Sequence, residues 1–376
     1  MVSFETVVVP PPPSDKERED KQAEAESNPR HTETQVVVKI TEDQARSYLV
    51  DHVTSHMCYG REAAKQMEIT GMEYVPALHY ELQTFTERRE TCWTYAPHRP
   101  DTKLDLEAPE MSEGSERSAP LPWQLEERPG RMFRDEVRLV TVPHTGVVKT
   151  CHKCRGTGGM TCGECGGKGW VRCLHCHGDV HLPEGGGGSL DRDRCYYCQH
   201  SKHGHGHLEC SKCKVSLRYN WHHTTSHLTL QARGKVSCNT CDGTTNILCF
   251  IQLSITWRIN TSEHITEKLE IPDDLIRDVS GQVAFEEENL RVCAVETVED
   301  DVIKMASAQL VASHASKFPE EKILRQRHQV RVVPVTKVNY EWKGKSRSFF
   351  VYGYENKVHL PNNSYPQSCC WGCNLM

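Results

Sequence analysis

Seven apolar residues, Ile247, Cys249, Ile251, Leu253, Ile255, Trp257 and Ile259, occupy every second position of one unbroken run. That is the period of a β-strand with one buried face. The same alternation returns at Leu78, Tyr80 and Leu82, followed by charged Glu87 to Glu90 and then Cys92 to Tyr95, a pattern of two strands or one bent strand. Val137, Leu139 and Thr141, then Val147 and Val148, read as strands, as do Val283 to Phe285 and Leu290 to Val295. Val330, Val332, Val335, Val338 and Tyr340 form a hairpin with Phe349 to Tyr354 across Gly344. Helical spacing is rarer. Thr41 and Gln44 form a capping-box pattern ahead of Ala45, Leu49, Val53 and Met57, and the helix should stop by Gly60. A second helix over 301–313 would bring Val302, Met305 and Leu310 to one side. The fold class expected is α+β: an antiparallel β-rich domain with a few helices.

Between Cys151 and Cys241 the alternation gives way to a different order. Six Cys-x-x-Cys pairs stand there, Cys151/Cys154, Cys162/Cys165, Cys173/Cys176, Cys195/Cys198, Cys210/Cys213 and Cys238/Cys241, which take twelve of the nineteen cysteines. A pair on a tight turn aims both sulfurs to one side, and two pairs complete a tetrahedral sulfur shell around zinc. Six pairs therefore predict three closed Zn²⁺ sites. The first two pairs continue as Cys-x-x-Cys-x-Gly-x-Gly, from Cys151 to Gly158 and from Cys162 to Gly169, where glycine can take the positive φ that a sulfur-enclosing turn demands. The third keeps Gly178 but has Val180, the sixth keeps Gly243 but has Thr245, and the fourth and fifth have neither glycine. Spacing alone leaves open whether neighbouring or nested pairs share a metal.

The serial Cys-x-x-Cys-x-Gly-x-Gly pattern resembles the cysteine-rich zinc domain of DnaJ-type co-chaperones, and the flanking segments resemble the animal Ssu-two homologue family, which carries such a domain without a J domain. The resemblance implies an elongated zinc-binding β-hairpin, and because Cys151 follows one expected strand and Ile247 opens another soon after the last pair, the module reads as an insertion in the β-rich domain. It also implies nested pairing: Cys173/Cys176 with Cys195/Cys198, Cys162/Cys165 with Cys210/Cys213, and Cys151/Cys154 with Cys238/Cys241. His98-Arg99-Pro100-Asp101 is no J-domain signature, because Arg99 intrudes and the surrounding prolines forbid the flanking helices. Disulfides would need an oxidising compartment, and the N-terminal residues show no secretory signal. Zinc-held thiolates are poor nucleophiles, so a thiol-disulfide oxidoreductase is an outsider. A RING-like module would need interleaved Cys and His ligands, which the regular doublets do not offer. His200, His203, His205 and His207 are expected to be spare.

Composition narrows the partners. The net charge of −6 speaks against a general nucleic-acid coat, although 151–241 alone carries twelve Lys/Arg against six Asp/Glu. Twelve thiolates and three Zn²⁺ cancel that excess, leaving the loaded module near neutral. No apolar run approaches the roughly eighteen residues of a membrane-spanning helix. The sequons Asn260-Thr261-Ser262 and Asn362-Asn363-Ser364 read as chance matches, and His52 with His56, one helical turn apart, lack a third ligand nearby. Lys322, Arg325, Arg327, Arg331 and Lys337 read as a solvated strand face. Cys373-Asn374-Leu375-Met376 fits the C-a-a-X prenylation pattern, with Cys369 and Cys370 placed to take the second lipid that stable anchoring needs.

The expected organisation is a disordered tail over 1–34, a helix and the first part of the β-rich domain over 35–150, the zinc module over 151–245, the second part of the domain over 246–360, and a flexible tail over 361–376. No nucleophile-base set, phosphate-cradling loop or open metal position is legible. The expectation is a non-enzymatic, chaperone-like adaptor that binds a protein partner or client, cytoplasmic or peripherally attached to a membrane by its C-terminus. A nuclear protein associated with nucleic acid is the alternative.

Overall fold

The computed structural model describes residues 5–12, 30–31, 39–56, 59–99, 118–177, 195–203, 206–213, 234–266, 271–361 and 365–366. The expected 1–34 tail falls largely outside these, as do residues 100–117. Two pieces of that tail are nonetheless in strands, Val7–Val8 and Arg30–His31. By internal contacts the chain forms two compact units, one drawn mainly from Thr91–Gln124 and Leu139–Leu253, the other from Val8–Glu90, Leu125–Arg138 and Ser254–Met376. Two long strands, Ala77–Pro97 and Asn246–Ile265, contribute residues to both. Every strand pairing with a resolved register is antiparallel.

In the second unit the Lys322–Val333 strand lies between the Gln282–Asn289 strand and the first part of Ala77–Pro97, with Val330 opposite Tyr80 and Val332 opposite Leu78. The Ala77–Pro97 run is one strand, which its charged middle had obscured. Glu87 and Arg89 point to one side and are buried together, 2.5 Å apart, and the indole Nε1–H of buried Trp257 donates to Glu87 at 3.2 Å. A buried charge persists only when it is paired and hydrogen-bonded, and this one is both. Tyr80, Leu82, Phe285, Val330 and Ile303 form the core over that sheet.

The helix that supplies Ile303 spans Asp301–Ser316 and is capped by Asp300, whose side chain accepts from the N–H groups of Val302 and Ile303. Its buried face differs from the expected one: Ile303, Ala306, Ser307 and His314 turn inward, while Val302 and Met305 are exposed. Polar residues decide the face. The Ser307 hydroxyl accepts from the Val295 N–H, and His314 bridges Thr84 and Ser262 through its two ring nitrogens, both at 2.8 Å. The stretch from Leu290 to Val295, expected as a strand, is irregular loop that feeds Val292 and Val295 into the same core.

A second, four-stranded sheet orders Lys357–His359, Lys345–Tyr352, Val335–Trp342 and Glu68–Tyr74. Its hairpin turns at Lys343 and Gly344, both at positive φ, as a tight two-residue turn requires. The Glu42–Ser55 helix packs Ala45, Leu49 and Val53 on Val338, Tyr340 and Phe349. Both arms of its capping box are formed: Thr41 N–H donates to Gln44 Oε1 at 2.8 Å, and Gln44 N–H to Thr41 Oγ1 at 3.3 Å. The basic strand face is engaged rather than merely solvated. Arg325 pairs with Glu288 at 3.0 Å, Arg327 lies over the Phe133 ring, and Arg331 donates to the Val279 carbonyl and to His79.

In the first unit the Val147–Thr150 strand pairs with the start of Asn246–Ile265, with Thr150 opposite Asn246. The chain therefore enters the cysteine-rich module from one strand and leaves it into the neighbouring one. Two short ladders continue within the module: Gly159–Thr161 against Lys235–Ser237, and Trp170–Arg172 against His207–Glu209.

Candidate metal centres

Each ladder ends where a cysteine begins its turn, and one hydrogen bond repeats at five of the six turns. The N–H of the first cysteine of a pair donates to a residue of the opposite turn: Cys151 to Thr245, Cys162 to Gly234, Cys173 to Gly206, Cys210 to Gly169 and Cys238 to Gly158, all at 2.8 to 3.0 Å. The ladders hold opposing turns face to face. The turns themselves are built alike. The residue after the second cysteine takes φ near +50° at Arg155, His177 and Asp242, and glycines at Gly156, Gly167 and Gly243 follow near +80°. Thr245, which stands where the repeat would place a second glycine, still adopts φ +73°. The missing glycine changed the residue and left the turn intact.

Twelve cysteines thus converge as three tetrads: Cys151, Cys154, Cys238 and Cys241; Cys162, Cys165, Cys210 and Cys213; Cys173, Cys176, Cys195 and Cys198. The grouping is nested. Within every tetrad the four sulfurs lie within 4.8 Å of one another, and the six cross-turn Sγ···Sγ distances run from 3.6 to 4.0 Å. A disulfide would need about 2.0 Å. A tetrahedron with metal–sulfur bonds of about 2.3 Å has edges of about 3.8 Å, which falls inside that range. The donor sets fit a tetrahedral, thiophilic divalent cation, and no histidine joins them among the described residues. His207 instead meets the Trp170 ring at 3.9 Å, and His205 lies outside the described residues.

Electrostatics point the same way. Burial raises the Cys154 thiol, but backbone N–H groups of Gly158 and Gly156 and the sulfurs of Cys151 and Cys241 bring it down to about 7. Cys165 is brought to about 7 against its burial by Gly169, Gly167 and its neighbours, with Gly169 N–H donating to its sulfur at 3.2 Å. Backbone N–H groups of Cys176 and His175 lower Cys173 to about 7. In the first two tetrads a partner moves oppositely: burial and adjacent sulfurs push Cys241 and Cys213 up to about 12. Four sulfurs this close resist ionising together unless a cation shares their charge, which is what a metal at the centre supplies.

A feature that spacing did not announce closes each tetrad. The two residues between paired cysteines reach across to the opposite turn: Lys153 donates to Asn239 at 2.6 Å, Lys212 pairs with Glu164 at 3.7 Å, and the His175 ring stacks on Tyr197 at 3.6 Å. The first two clasps are polar, the third aromatic. Around the third tetrad Leu174 and Tyr196 are about four-fifths exposed, at 79% and 80%, and Tyr197 is 60% exposed. The sequence signal was available in the residue types between the cysteines: Leu-His and Tyr-Tyr here, against His-Lys, Gly-Glu, Ser-Lys and Asn-Thr elsewhere.

The remaining sequence-designated positions lie apart from the tetrads. Cys249 is buried beside the first tetrad without joining it. His56 Nδ1 meets the His52 carbonyl at 2.8 Å, and the two rings form no metal-ligand group among the described residues. Cys369, Cys370, Cys373 and Cys58 lie outside the described residues. In the second unit a cavity of about 600 Å³ is lined by Glu81, Gln83, Glu286, Glu288, Arg327 and Gln329, among others. Its acids are engaged, Glu288 by Arg325 and Glu81 by Gln83 and Gln329. No helix among the described residues is long and apolar enough to cross a membrane.

Comparison with known proteins gives a consistent relationship. The zebrafish (Danio rerio) protein called SSUH2 homolog is 30% identical over 342 residues, covering 90% of this chain and 83% of its own length. The human protein of that name is 29% identical over 342 residues, covering 90% and 81%. The mouse one is 34% identical over 119 residues, 32% of this chain and 33% of its own. No family profile matches the chain, and no solved structure does.

Proposed function

The chain belongs to the SSUH2 homologue family, and we propose that within it this protein is a non-enzymatic, zinc-stabilised adaptor whose cysteine-rich module recognises a protein partner or client. The observation that carries this reading is the contrast among the turns. Six turns present two residues each beyond the sulfur shell, and only those of the third tetrad present Leu174, Tyr196 and Tyr197 to solvent. Tyrosine supplies large, stiff contact area at low entropic cost and is enriched at binding surfaces. Two facing turns held by four sulfur–metal bonds offer those rings already ordered, so binding loses little further entropy. A four-thiolate site holds no open position for substrate or water, which supports a structural role for the metal. Zinc is the metal we assign, because closed four-cysteine sites are its usual structural form.

The proposed place of action is the cytosolic side, where thiols stay reduced, with Cys373 as the proposed lipid acceptor. Affinity capture tests the adaptor reading. Full-length protein and a Leu174→Ser, Tyr196→Ser, Tyr197→Ser variant are compared with and without nuclease, zinc content being measured for both. A discrete set of proteins retained after nuclease, and lost with the variant at unchanged zinc content, is the expected result. Equal capture by both proteins refutes it, and capture that vanishes with nuclease favours the nucleic-acid alternative.

A further inference from the structure

The three tetrads are alike in donor set and unlike in cover. In the first two, all four cysteines are buried; in the third, Cys176 and Cys195 are only half-buried. The clasps differ in the same sense. Lys153 with Asn239 and Lys212 with Glu164 place charged or polar groups over their sulfurs, and Glu164 Oε2 lies 3.9 Å from Cys210 Sγ. The third clasp is the His175–Tyr197 stack, which leaves the flanking residues 174 and 196 outside it and exposed.

Binding a cation weakens a thiolate as a nucleophile but keeps it deprotonated, so among metal-held sulfurs oxidation falls on those most exposed. We infer that the third tetrad is the module's oxidation site, at which hydroperoxides release one metal ion while the other two remain bound. A thiolate of this tetrad attacks the peroxide oxygen. The O–O bond breaks, the sulfur becomes a sulfenic acid and hydroxide departs, or alkoxide if the peroxide is organic. A second thiolate of the same tetrad then attacks that sulfur, forming an S–S bond and expelling a second hydroxide. The two sulfurs give up two electrons and the peroxide takes them. Cys176 and Cys198, with sulfurs 3.6 Å apart, are neighbours placed for the second step. Two thiolates remain where four held the cation, so the ion leaves. Loss at this end unclasps the rings on which the proposed partner surface is built.

The inference rests on the reading that the tetrads hold zinc, and the experiment separates the two. Full-length reduced protein is loaded with zinc and its metal content determined before any oxidant is added; fewer than three ions per chain at that point would defeat the three-site reading itself. Hydrogen peroxide is then added stepwise, released zinc is followed with a chromogenic chelator, and cysteines are mapped by differential alkylation and mass spectrometry. The expected course is a fast release of one ion per chain, with Cys173, Cys176, Cys195 and Cys198 losing alkylation first. A Cys176→Ser, Cys195→Ser variant should load two ions and show no fast phase. His175→Ala, Tyr197→Ala should load three and release the first at least severalfold faster. A single phase in which all three ions leave together, a fast phase that maps to either other tetrad, or a fast phase that survives in the Cys176→Ser, Cys195→Ser variant would overturn the inference.

Discussion

Three glycines of the module's second tetrad allow a graded test of how its backbone is held. Gly163, Gly166 and Gly234 are all near the Cys162–Cys213 site but differ in what an added methyl group would meet. At Gly163 there is nothing within 4 Å and φ is not positive, so Gly163→Ala should be neutral within about 0.5 kcal/mol. Gly166 also has open space but sits at φ +58°, where an L-residue costs about 1 kcal/mol. That cost is bearable, since Arg155, His177 and Asp242 occupy the equivalent position of other turns. Gly234 differs in kind. It has φ +83°, and a Cβ would stand 1.9 Å from the Gly167 carbonyl oxygen. That is about 1.6 Å inside the separation of roughly 3.5 Å at which non-bonded heavy atoms rest. The obstacle is backbone on both sides, so the two facing turns must part. Parting them breaks the 2.8 Å bond from Cys162 N–H to the Gly234 carbonyl and strands a buried donor. With the positive φ included, Gly234→Ala should cost at least about 3 kcal/mol, or about a hundredfold in zinc affinity at this tetrad. Competition with a chelator of known affinity, on full-length variants, measures it directly. If Gly234→Ala holds its zinc as tightly as Gly166→Ala, the close approach of Gly234 to Gly167 is not what fixes the second site.

Three other expectations follow from the described geometry. Cys173→Ser and Cys195→Ser should each leave two zinc ions per chain, and the double variant should leave the same two, because both belong to one tetrad; elemental analysis of the three proteins decides it. Burial holds His314 and His79 below the ordinary imidazole value, with Lys317 acting further on His314 and Arg331 on His79. Their neutral forms therefore stabilise the fold fully above the unfolded value of about 6.5, and this contribution is lost as pH falls through their lower folded values. Denaturant midpoints should drop between pH 7.5 and 5.5, less steeply in a His314→Gln variant. Cys373→Ser should shift the protein from membrane to soluble fractions at unchanged zinc content; wild-type protein found wholly soluble with an intact C-terminus would remove the anchor.

Period-two patterning made the β-rich architecture legible, and the cysteine spacing marked all twelve residues that the structure gathers into tetrads. Legibility failed where polar residues do the work of apolar ones. The Asp301–Ser316 helix was oriented by Val302 and Met305, because the sequence gives no sign that Ser307 and His314 have partners in Val295, Thr84 and Ser262. Glu87 and Arg89 leave two strands or one bent strand open in the sequence for the same reason, their burial depending on each other and on Trp257, 170 residues away from Glu87 along the chain. The cross-turn clasps were unreadable until nesting was known, since Lys153 and Asn239 become neighbours only when Cys151 and Cys238 share a site. Thr245 at positive φ shows the converse: a consensus glycine is a preference of the turn and not a condition for it.

The nested order of the tetrads also imposes a sequence in time. Their facing cysteines lie 22, 48 and 87 residues apart along the chain. For a flexible chain, closing the longest of these loops costs about 1.2 kcal/mol more than closing the shortest. The shortest loop is therefore the favoured first closure. Once it is made, the cysteines of the middle tetrad are already brought together from the inside, and those of the outer tetrad follow in turn. Loop entropy thus favours assembly as a zipper, drawn from the shortest loop toward the strands Val147–Thr150 and Asn246–Ile265, in which each closure would shorten the search for the next.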